Sequence, residues 1–305
     1  MHRDLEAARR ALALVAAWTP RRLQDAMLAL LAGPPLLDIE VSSSCNVRCA
    51  FCPREELRRP RTVMTPETFA LVLAFVPAQA VVMFSGLGEP LLNPRLPEFV
   101  ARLRARGISS CVITNGLLLT PGRLDALLAA GVDQIQVSCH ATTDEGMMWA
   151  VTEGADFPRL LANLEHLAAV RPQRLRVQLD FVDAEVNAGE LTSVAQLAQR
   201  LGFDLVARRR HTRGGLVGVR RMARACSGCG IFPAVTFITS EGGVSACSND
   251  VRGATTLGHL ATIDWPATLE WKRRVIRGGD WFEPCAACDD DYRWVILAQH
   301  GVDPA

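Results

Sequence analysis

Between residue 36 and about residue 210, short apolar segments rich in β-branched residues alternate with segments whose apolar residues recur at helical spacing. The apolar segments predict six strands, over residues 37–41, 81–84, 111–113, 134–137, 175–181 and 204–207. The segments between them predict five helices, near residues 66–76, 96–106, 121–130, 158–170 and 189–201. Strands that alternate with helices form parallel sheets or barrels, so we expect an α/β fold with a site at the carboxyl ends of its strands.

The alternation stops after residue 210. Residues 234–247 predict a β-hairpin that turns at its central glycines, and a short helix and a tail with cysteines follow it. We therefore divide the chain into a leading helical segment (1–35), a βα domain (36–210) and a C-terminal extension (211–305). The extension has too few strands and helices for a large core, so we expect a metal centre to order it. The leading segment, rich in alanine and leucine, could pack on the βα domain or mediate dimerisation.

Composition narrows the range of partners for this chain of 305 residues. Its net charge of +1 gives no global field for nucleic acid or an anionic membrane, so we expect neither as a partner. The longest apolar stretch, residues 69–84, is interrupted by Pro77 and Gln79 and is too short to span a bilayer. Charged residues flank residues 11–18 on both sides, which favours an amphipathic helix over a signal peptide. We therefore expect a cytoplasmic protein whose ten cysteines are reduced and available as metal ligands.

Three of the cysteines, Cys45, Cys49 and Cys52, follow the first predicted strand with the spacing Cys-x3-Cys-x2-Cys. Thiols this close in sequence are expected to share one inorganic centre. A four-iron cluster binds four ligands, so three cysteines would leave one iron open to another group. A zinc site would need a fourth protein ligand or a catalytic water, and the nearest histidines in sequence are His2 and His140. The spacing therefore favours an iron–sulfur cluster over zinc.

With Phe51 directly before its last cysteine, and with its place at the end of the first strand, this motif resembles that of the radical S-adenosylmethionine (SAM) superfamily. The resemblance implies a partial (βα)6 radical SAM barrel, in which a [4Fe–4S] cluster binds the amino and carboxylate groups of SAM at its open iron. It also implies reductive cleavage of SAM to a 5′-deoxyadenosyl radical, which abstracts a hydrogen atom from a small-molecule or peptide substrate. An external one-electron reductant such as flavodoxin or ferredoxin would supply the electron.

The resemblance extends to segments at the ends of the later strands. Residues 86–90 (GLGEP) resemble the GGEP-type segment that meets the SAM amino group, although an ordinary βα turn would also explain them. His140 stands where many members have aspartate and could equally be a packed histidine, and Asn187 could equally cap a loop. The SAM contacts that the resemblance implies are Phe51, Gly86, Gly88, Glu89, Thr114, Asn115, Ser138, His140 and Asn187.

Five further cysteines, in the C-terminal extension, form a second set: Cys226, Cys229, Cys247, Cys285 and Cys288. On chemistry alone, their two Cys-x2-Cys pairs around a hairpin cysteine could hold structural zinc. The Gly-x4-Cys setting of Cys247, downstream of a radical SAM barrel, instead resembles the SPASM/twitch extension with its auxiliary [4Fe–4S] cluster. No cysteine follows Cys288, which indicates the twitch form with one such cluster. Its expected ligands are Cys229, Cys247, Cys285 and Cys288, with Cys226 as the spare cysteine or as the alternative to Cys229.

A cluster with four protein ligands has no open iron, so we expect the auxiliary cluster to accept an electron. The leading hypothesis is therefore a net oxidation, the dehydrogenation of a small natural-product intermediate such as an aminocyclitol or a sugar. Arg210, His211 and Arg213 could face the active site and supply a general base, or they could belong to a solvated basic surface.

The second hypothesis is peptide maturation, by a thioether or carbon–carbon crosslink or by epimerisation. An epimerase needs a hydrogen-atom donor, for which Cys226 and Cys139 are the candidates. A third hypothesis is a non-enzymatic binding module held together by zinc, which would never cleave SAM. The third hypothesis therefore differs from the first two in metal content and in the fate of SAM.

Overall fold

The computed structural model describes residues 10–300 except 12, 185–186, 188, 214 and 218–227, so Cys226 lies outside the described residues. The strands discussed below are β1 (Leu36–Ile39), β2 (Arg48–Cys49), β3 (Val81–Phe84), β4 (Ser109–Thr114), β5 (Gln134–Ser138), β6 (Val151–Glu153), β7 (Arg176–Asp183), β8 (Asp204–Arg209), β9 (Val235–Ile238), β10 (Gly243–Ser245) and β11 (Thr256–His259). The helices are α1 (Pro20–Ala32), α2 (Pro66–Phe75), α3 (Leu96–Arg104), α4 (Pro121–Ala130), α5 (Asp144–Ala150), α6 (Phe157–Val170), α7 (Glu190–Leu201), α8 (Ile231–Ala234), α9 (Trp265–Gly278), α10 (Glu283–Ala286) and α11 (Tyr292–His300). No helix in these ranges is long and apolar enough to cross a membrane.

Nine strands form one sheet in the order β11–β10–β9–β1–β3–β4–β5–β7–β8. The strands from β1 to β8 in that order are parallel, and α2, α3, α4, α6 and α7 lie between them in the chain. The six strands and five helices predicted from the hydrophobic pattern are confirmed, each to within two residues of its predicted bounds. The fold is thus an α/β partial barrel of six βα units, as predicted.

Local sequence signals explain where the helices begin and end. Thr65 caps α2 by accepting a 3.2 Å hydrogen bond from Thr68 N, and a proline takes the first helical position. Helix α4 begins with the same Thr–Pro pair, although Thr120 makes no side-chain capping bond. Gly131 and Gly202 end α4 and α7 in the left-handed conformation, with φ of 88° and 66°. These signals fix the lengths of the helices that connect the parallel strands.

The two faces of the parallel sheet differ in polarity because side chains alternate along each strand. The face toward the helices is apolar, and on that side Phe69 of α2 stacks on Phe99 of α3 with ring centroids 4.0 Å apart. The strand register brings several polar residues to the opposite face, which we call the inner face. These inner-face residues include Asp38, Cys111, Asp180 and Arg208.

The sheet continues into the C-terminal extension. Strand β9 lies parallel to β1 on the edge opposite β3, with Ile238 beside Ile39. Strand β10 returns antiparallel to β9, which confirms the hairpin predicted over residues 234–247. Strand β11 then adds an antiparallel strand that the hydrophobic pattern did not predict. Strand β1 therefore lies between the other βα units and the extension.

Helix α1 packs mainly on the extension. Met27 is 2% exposed and belongs to a second apolar cluster that includes Phe232 and Trp294. Gln24 Nε2 also donates a 3.0 Å hydrogen bond to Ile276 O of α9. The leading segment was expected to pack on the βα domain or to mediate dimerisation, whereas α1 packs mainly on the extension. The extension thereby gains apolar surface that its own short elements do not supply.

Candidate cluster and cofactor site

The first cysteine set lies on the loop after β1, which we call the cysteine loop, at the carboxyl edge of the parallel strands. Strand β2 in this loop pairs with β6, so that Cys49 lies beside Val151. Ala50 N also donates a 2.9 Å hydrogen bond to Ala150 O. The α5–β6 segment therefore braces the loop. The hydrophobic pattern did not predict this segment, and the β-branched pair at residues 151–152 was its only signal.

The thiols of the cysteine loop are half-buried. Burial, together with the neighbouring Cys52 and Cys45, raises the pKa of the Cys49 thiol to about 12. Burial likewise raises the pKa of Cys45. Neighbouring thiolates repel one another and are costly to bury unless cations lie between them. The donor set therefore fits a centre in which iron replaces the thiol protons.

Within the described ranges, no three His, Cys, Asp or Glu side chains converge closely enough to hold a metal ion. A zinc ion binds thiolates at about 2.3 Å and would draw them to within about 4 Å of one another. A four-iron cluster binds each thiolate at a different iron, which keeps the sulfur atoms farther apart. Cys45, Cys49 and Cys52 supply three thiolate ligands of the kind that a four-iron cluster binds.

Residues 86–90 lie against the start of the cysteine loop. A Cβ on Gly88 would overlap the carbonyl oxygens of Ser42 and Ser44. Glu89 N, the next residue, donates a 2.8 Å hydrogen bond to Ser44 O. Glycine at position 88 therefore allows the two backbones to approach to hydrogen-bond distance, which an ordinary βα turn does not require.

The same segment also lies against Glu40, which follows β1. Gly86 has a φ of +113°, and a Cβ there would lie 2.6 Å from Glu40 Cγ. Glu40 is buried, and its carboxylate accepts a 3.2 Å hydrogen bond from Leu87 N and pairs with Arg59 at 2.5 Å. Burial raises the pKa of Glu40, and the Arg59 guanidinium acts against that rise. This buried ion pair was not predicted from the sequence.

Glu89 joins the ends of β3 and β4. Its Oε1 accepts hydrogen bonds from Leu91 N at 3.0 Å and Thr114 Oγ1 at 2.7 Å, and its Oε2 accepts one from Asn115 N at 2.8 Å. Burial raises the pKa of Glu89, and these donors act against the rise. Asn115 Nδ2 in turn lies 3.7 Å from Cys45 Sγ. Glu89 and Thr114 therefore hold Asn115 beside the cysteine loop.

A pocket lies between the cysteine loop and the ends of β4 and β5. Its polar lining residues are Cys49, Asn115, Ser138 and His140. The rest of its lining is apolar and includes Met147 of α5. A mostly apolar pocket with a few convergent polar groups is typical of a small-molecule site. The structure therefore brings three of the implied SAM contacts to the same pocket as a cysteine of the loop.

The surroundings of His140 keep its ring neutral. His140 Nδ1 accepts a 3.3 Å hydrogen bond from Val182 N, which assigns the ring proton to Nε2. The ring also makes an edge-to-face contact with Phe51, with centroids 5.0 Å apart. Burial lowers the pKa of His140 to about 4, although the nearby Asp180 carboxylate acts in the opposite direction. Near pH 7 this histidine is therefore a hydrogen-bond donor through Nε2 and not a cation.

Two other predicted site residues, Asn187 and Cys139, are buried and make contacts that serve the fold. The Asn187 side chain is buried and makes three hydrogen bonds to the backbone, including one of 3.1 Å to His140 O and one of 2.8 Å to Val182 O. It therefore caps the loops after β5 and β7. Cys139 is fully buried in the main apolar core, where burial raises the pKa of its thiol to about 12. It does not line the pocket.

The inner face carries charged groups that the sequence did not single out. Asp180 pairs with Arg208 at 2.5 Å, and the Arg208 guanidinium lies 5.7 Å from the ring centroid of Tyr292. Asp38 accepts a hydrogen bond from Ser85 Oγ, and burial raises its pKa to about 6. In the sequence, Asp38, Asp180 and Arg208 are polar residues at alternating strand positions. That pattern does not show which other side chains they contact.

The candidates that follow β8 connect the barrel to the extension. Arg210, His211 and Arg213 are each half-buried, which differs from a solvated basic surface. His211 Nε2 lies 3.7 Å from Asp290 Oδ2, and Arg213 donates a hydrogen bond to Asn249 Oδ1. Burial lowers the pKa of His211, although the Asp290 carboxylate acts against this.

The second cysteine set lies at the edge of the second apolar cluster. Cys229, Cys247, Cys285 and Cys288 are half-buried, and the first two pack against that cluster. Burial raises the pKa of Cys247 to about 12, and the negative charge of a Cys288 thiolate contributes to the rise. Cys285 and Cys288 belong to one turn, in which Cys288 N donates a 3.2 Å hydrogen bond to Cys285 O. The Cys-x2-Cys pair of the tail therefore lies near the hairpin cysteine.

Replacement of Gly88 tests the approach of residues 86–90 to the cysteine loop. The added Cβ in Gly88→Ala overlaps the carbonyl oxygens of Ser42 and Ser44, so the two segments must separate. We expect a loss of stability of about 1–3 kcal/mol and loss of iron from the cysteine loop after anaerobic reconstitution. Iron analysis and the unfolding midpoint measure the two effects.

The control for this variant is Gly122→Ala, on the exposed first turn of α4, where a Cβ meets nothing within 4 Å. Alanine there should retain all iron and stabilise the helix by up to about 1 kcal/mol. A Gly88→Ala protein with wild-type iron content and stability would contradict the close approach.

The family model of the Radical SAM superfamily matches residues 39–177, which include the cysteine loop, residues 86–90 and the pocket. The chain is 31% identical over 175 residues to GTP 3',8-cyclase of Chlorobaculum tepidum, covering 56% of this chain and 51% of that protein. It is 32% identical over 181 residues to PqqA peptide cyclase of Gluconobacter oxydans, covering 58% of this chain and 49% of that protein. The chain therefore spans about half the length of these curated relatives.

Solved structures share the fold over most of the chain. The complex of BtrN with AdoMet and 2-DOIA aligns with a TM-score of 0.54 and 18% identity, covering 85% of this chain and 94% of that chain. SuiB of Streptococcus suis bound to precursor peptide SuiA aligns with a TM-score of 0.65 and 12% identity, covering 84% of this chain and 71% of that chain. Identities this low show the fold alone. The family match over residues 39–177, which include the cysteine loop, identifies this part of the chain as a radical SAM domain, and a [4Fe–4S] cluster that binds SAM is the cofactor that this domain supports.

Proposed function

We propose that this protein is a radical SAM enzyme that oxidises an alcohol on a small polar molecule, such as an aminocyclitol or a sugar. We further propose an auxiliary [4Fe–4S] cluster on Cys229, Cys247, Cys285 and Cys288. The cluster on the cysteine loop would pass an electron from an external reductant to SAM, which would yield a 5′-deoxyadenosyl radical that takes a hydrogen atom from the substrate, and the auxiliary cluster would accept one electron from the substrate radical. The chain's own residues bind and orient the reactants and move the proton.

One observation supports the proposal: Asp38, on the inner face, lies beside the residue that follows Cys247 of the second cysteine set. The Asp38 carboxyl group interacts by hydrogen bonds with Ser85 and with Ser248, the residue after Cys247. The Arg213 charge acts on both Asp38 and Cys247. A substrate on the inner face would therefore lie near a proton acceptor and near an electron acceptor, which is what dehydrogenation of an alcohol requires.

The pocket beside the cysteine loop supplies the SAM site in this proposal. Asn115 and Ser138 offer hydrogen-bonding groups, and the neutral His140 offers the Nε2 proton. These groups suit the carboxylate and ribose hydroxyls of SAM. The apolar residues of the α5–β6 segment, Met147 and Val151, exclude water from the same space.

The inner face supplies the substrate site. Asp180 and Arg208 form a pair of opposite charges there, and Tyr292 from the tail lies beside Arg208. A carboxylate and a guanidinium together recognise amino and hydroxyl groups, so this face suits a polyhydroxylated or aminated substrate. Asp38 accepts the hydroxyl proton, because a carboxyl group with a pKa of about 6 is ionised near pH 7 and close to the range that suits a general base.

Metal analysis tests the two-cluster proposal. Anaerobic reconstitution should give about eight irons per chain, four for each cluster. Cys45→Ala, Cys49→Ala or Cys52→Ala should abolish the formation of 5′-deoxyadenosine from SAM under reducing conditions. Cys285→Ala or Cys288→Ala should leave about four irons and retain SAM cleavage, because only the auxiliary cluster is lost.

Cys226→Ala and Cys229→Ala form the matched pair for the remaining ligand. If Cys226 is the spare cysteine, its replacement leaves iron near eight, whereas Cys229→Ala reduces it to about four. About four irons in the wild-type protein, or zinc at the second cysteine set, would rule out the auxiliary cluster.

Hydrogen transfer tests the substrate class. Cyclitols and amino sugars deuterated at the carbinol carbon should transfer deuterium to 5′-deoxyadenosine and yield a ketone, both of which mass spectrometry detects. The unlabelled compounds are the control. Deuterium transfer from labelled peptides, with none from the cyclitols and sugars, would instead favour peptide maturation and contradict alcohol oxidation.

The pH dependence of turnover tests Asp38. The rate of substrate oxidation should rise with pH through about 6, because Asp38 accepts a proton only when its carboxyl group is ionised. Asp38→Asn should lower kcat by about 10²- to 10⁴-fold and remove this dependence, with iron content unchanged. Asp204→Asn, at an exposed position that begins β8, should match the wild type. A wild-type profile that is flat around pH 6 would exclude Asp38 as the base.

A further inference from the structure

Lys272 is the only lysine of the chain, and its side chain is completely buried. Its Nζ donates hydrogen bonds of 2.7 Å to Val235 O and 2.8 Å to Thr236 Oγ1, both on β9. Burial lowers the pKa of Lys272 to about 7, and negative charge at Cys247 and Cys229 acts against this shift.

Ser245 of β10 pairs with Phe237 of β9. The antiparallel chain therefore continues from Ser245 through Cys247 toward Val235, whose carbonyl oxygen accepts the Lys272 hydrogen bond. Lys272 is therefore hydrogen-bonded to the part of β9 beside which Cys247, one of the proposed cluster ligands, lies.

The surroundings of Lys272 are aromatic. Its Nζ lies 5.6 Å from the ring centroid of Phe232. Phe232 makes edge-to-face contacts with Trp271, Trp281 and Phe282, with ring centroids 5.6–5.7 Å apart. Aromatic packing of this kind excludes water, so charges here interact more strongly than they do at the surface.

Buried charges in proteins are paired with a charge of opposite sign. Among the described residues, the hydrogen-bond partners of Lys272 Nζ are neutral oxygens and none is a carboxylate, whereas negative charge at Cys247 and Cys229 acts on its pKa. The natural partners of a buried Lys272 ammonium are therefore the thiolates of the second cysteine set.

We infer that Lys272 is the counterion of the auxiliary cluster and raises its reduction potential. The inference rests on the proposed function, because it requires a cluster on the second cysteine set. An added electron makes the cluster and its thiolates more negative, and a buried positive charge beside them stabilises that state. The electron comes from the substrate radical and leaves to an external one-electron carrier, so the cluster returns to its oxidised form. Lys272 is thus a positioning residue that acts through the cluster.

Redox titration of the reconstituted full chain, monitored by electron paramagnetic resonance, tests this role. Lys272→Met removes the charge and keeps an unbranched side chain. We expect the midpoint potential of the auxiliary cluster to become more negative by a tenfold or larger change in the one-electron equilibrium, about 59 mV or more. The SAM-binding cluster should keep its wild-type potential. Arg273→Met is the matched control, because this neighbouring side chain is 41% exposed and pairs with Glu270, and it should shift neither cluster.

A second variant separates charge from hydrogen bonding. Lys272→Gln retains N–H donors for the oxygens of Val235 and Thr236 but carries no charge, and we expect the same negative shift. An unchanged potential in either variant that retains about eight irons would overturn the role of Lys272 and leave the auxiliary cluster in place. Loss of the auxiliary cluster from both variants would also overturn it, since Lys272 would then serve assembly. Absence of the second cluster from the wild-type protein would instead refute the proposed function.

Discussion

A buried ion pair between Glu40 and Arg59 holds together the segments on which the site depends. Glu40 lies just after β1 with its side chain fully buried, and Arg59 lies 2.5 Å from its carboxylate. Leu87 N and Ser240 Oγ donate hydrogen bonds to the same carboxylate, so residues 86–90 and the β9–β10 turn meet at Glu40. Loss of Arg59 would leave a buried charge without compensation, at a cost of about 3–5 kcal/mol. The Glu40–Arg59 pair therefore helps to position the cysteine loop, residues 86–90 and the extension relative to one another.

The position of β1 extends this constraint to both cysteine sets. Strand β1 pairs with β3 on one edge and with β9 on the other. The cysteine loop follows β1, and Cys247 follows β10, two strands away in the same sheet. Neighbouring strands lie about 4.8 Å apart, so strand spacing and not a flexible linker sets the separation of the two sets. The proposed auxiliary cluster, held in this way, would keep a constant distance from a substrate on the inner face.

The parts of the fold that could be predicted are those that depend on local sequence signals. Alternation and capping residues act over a few positions, and they located the six parallel strands and the helices between them. The pairing of Leu36 with Val235 joins distant parts of the chain, and no local pattern reports it. The α5–β6 segment was not predicted because a helix of seven residues and a strand of three are too short to establish a period.

The candidate site could likewise be predicted only in part, because motif spacing identifies residue types but not their burial. Spacing located Cys45 and the family resemblance implied Asn115, and the structure brings these two residues to within 3.7 Å of each other. It could not distinguish a lysine on the surface from Lys272, which is fully buried beside the second cysteine set. Nor could it distinguish Asp38 from any polar residue of an alternating strand, although burial raises the pKa of this carboxyl group to about 6. Asp38 and Lys272 acquire their proposed chemistry from burial. Their burial depends on the pairing of β1 with β9, because this pairing joins the extension to the parallel sheet. No local sequence pattern reports a pairing of that kind.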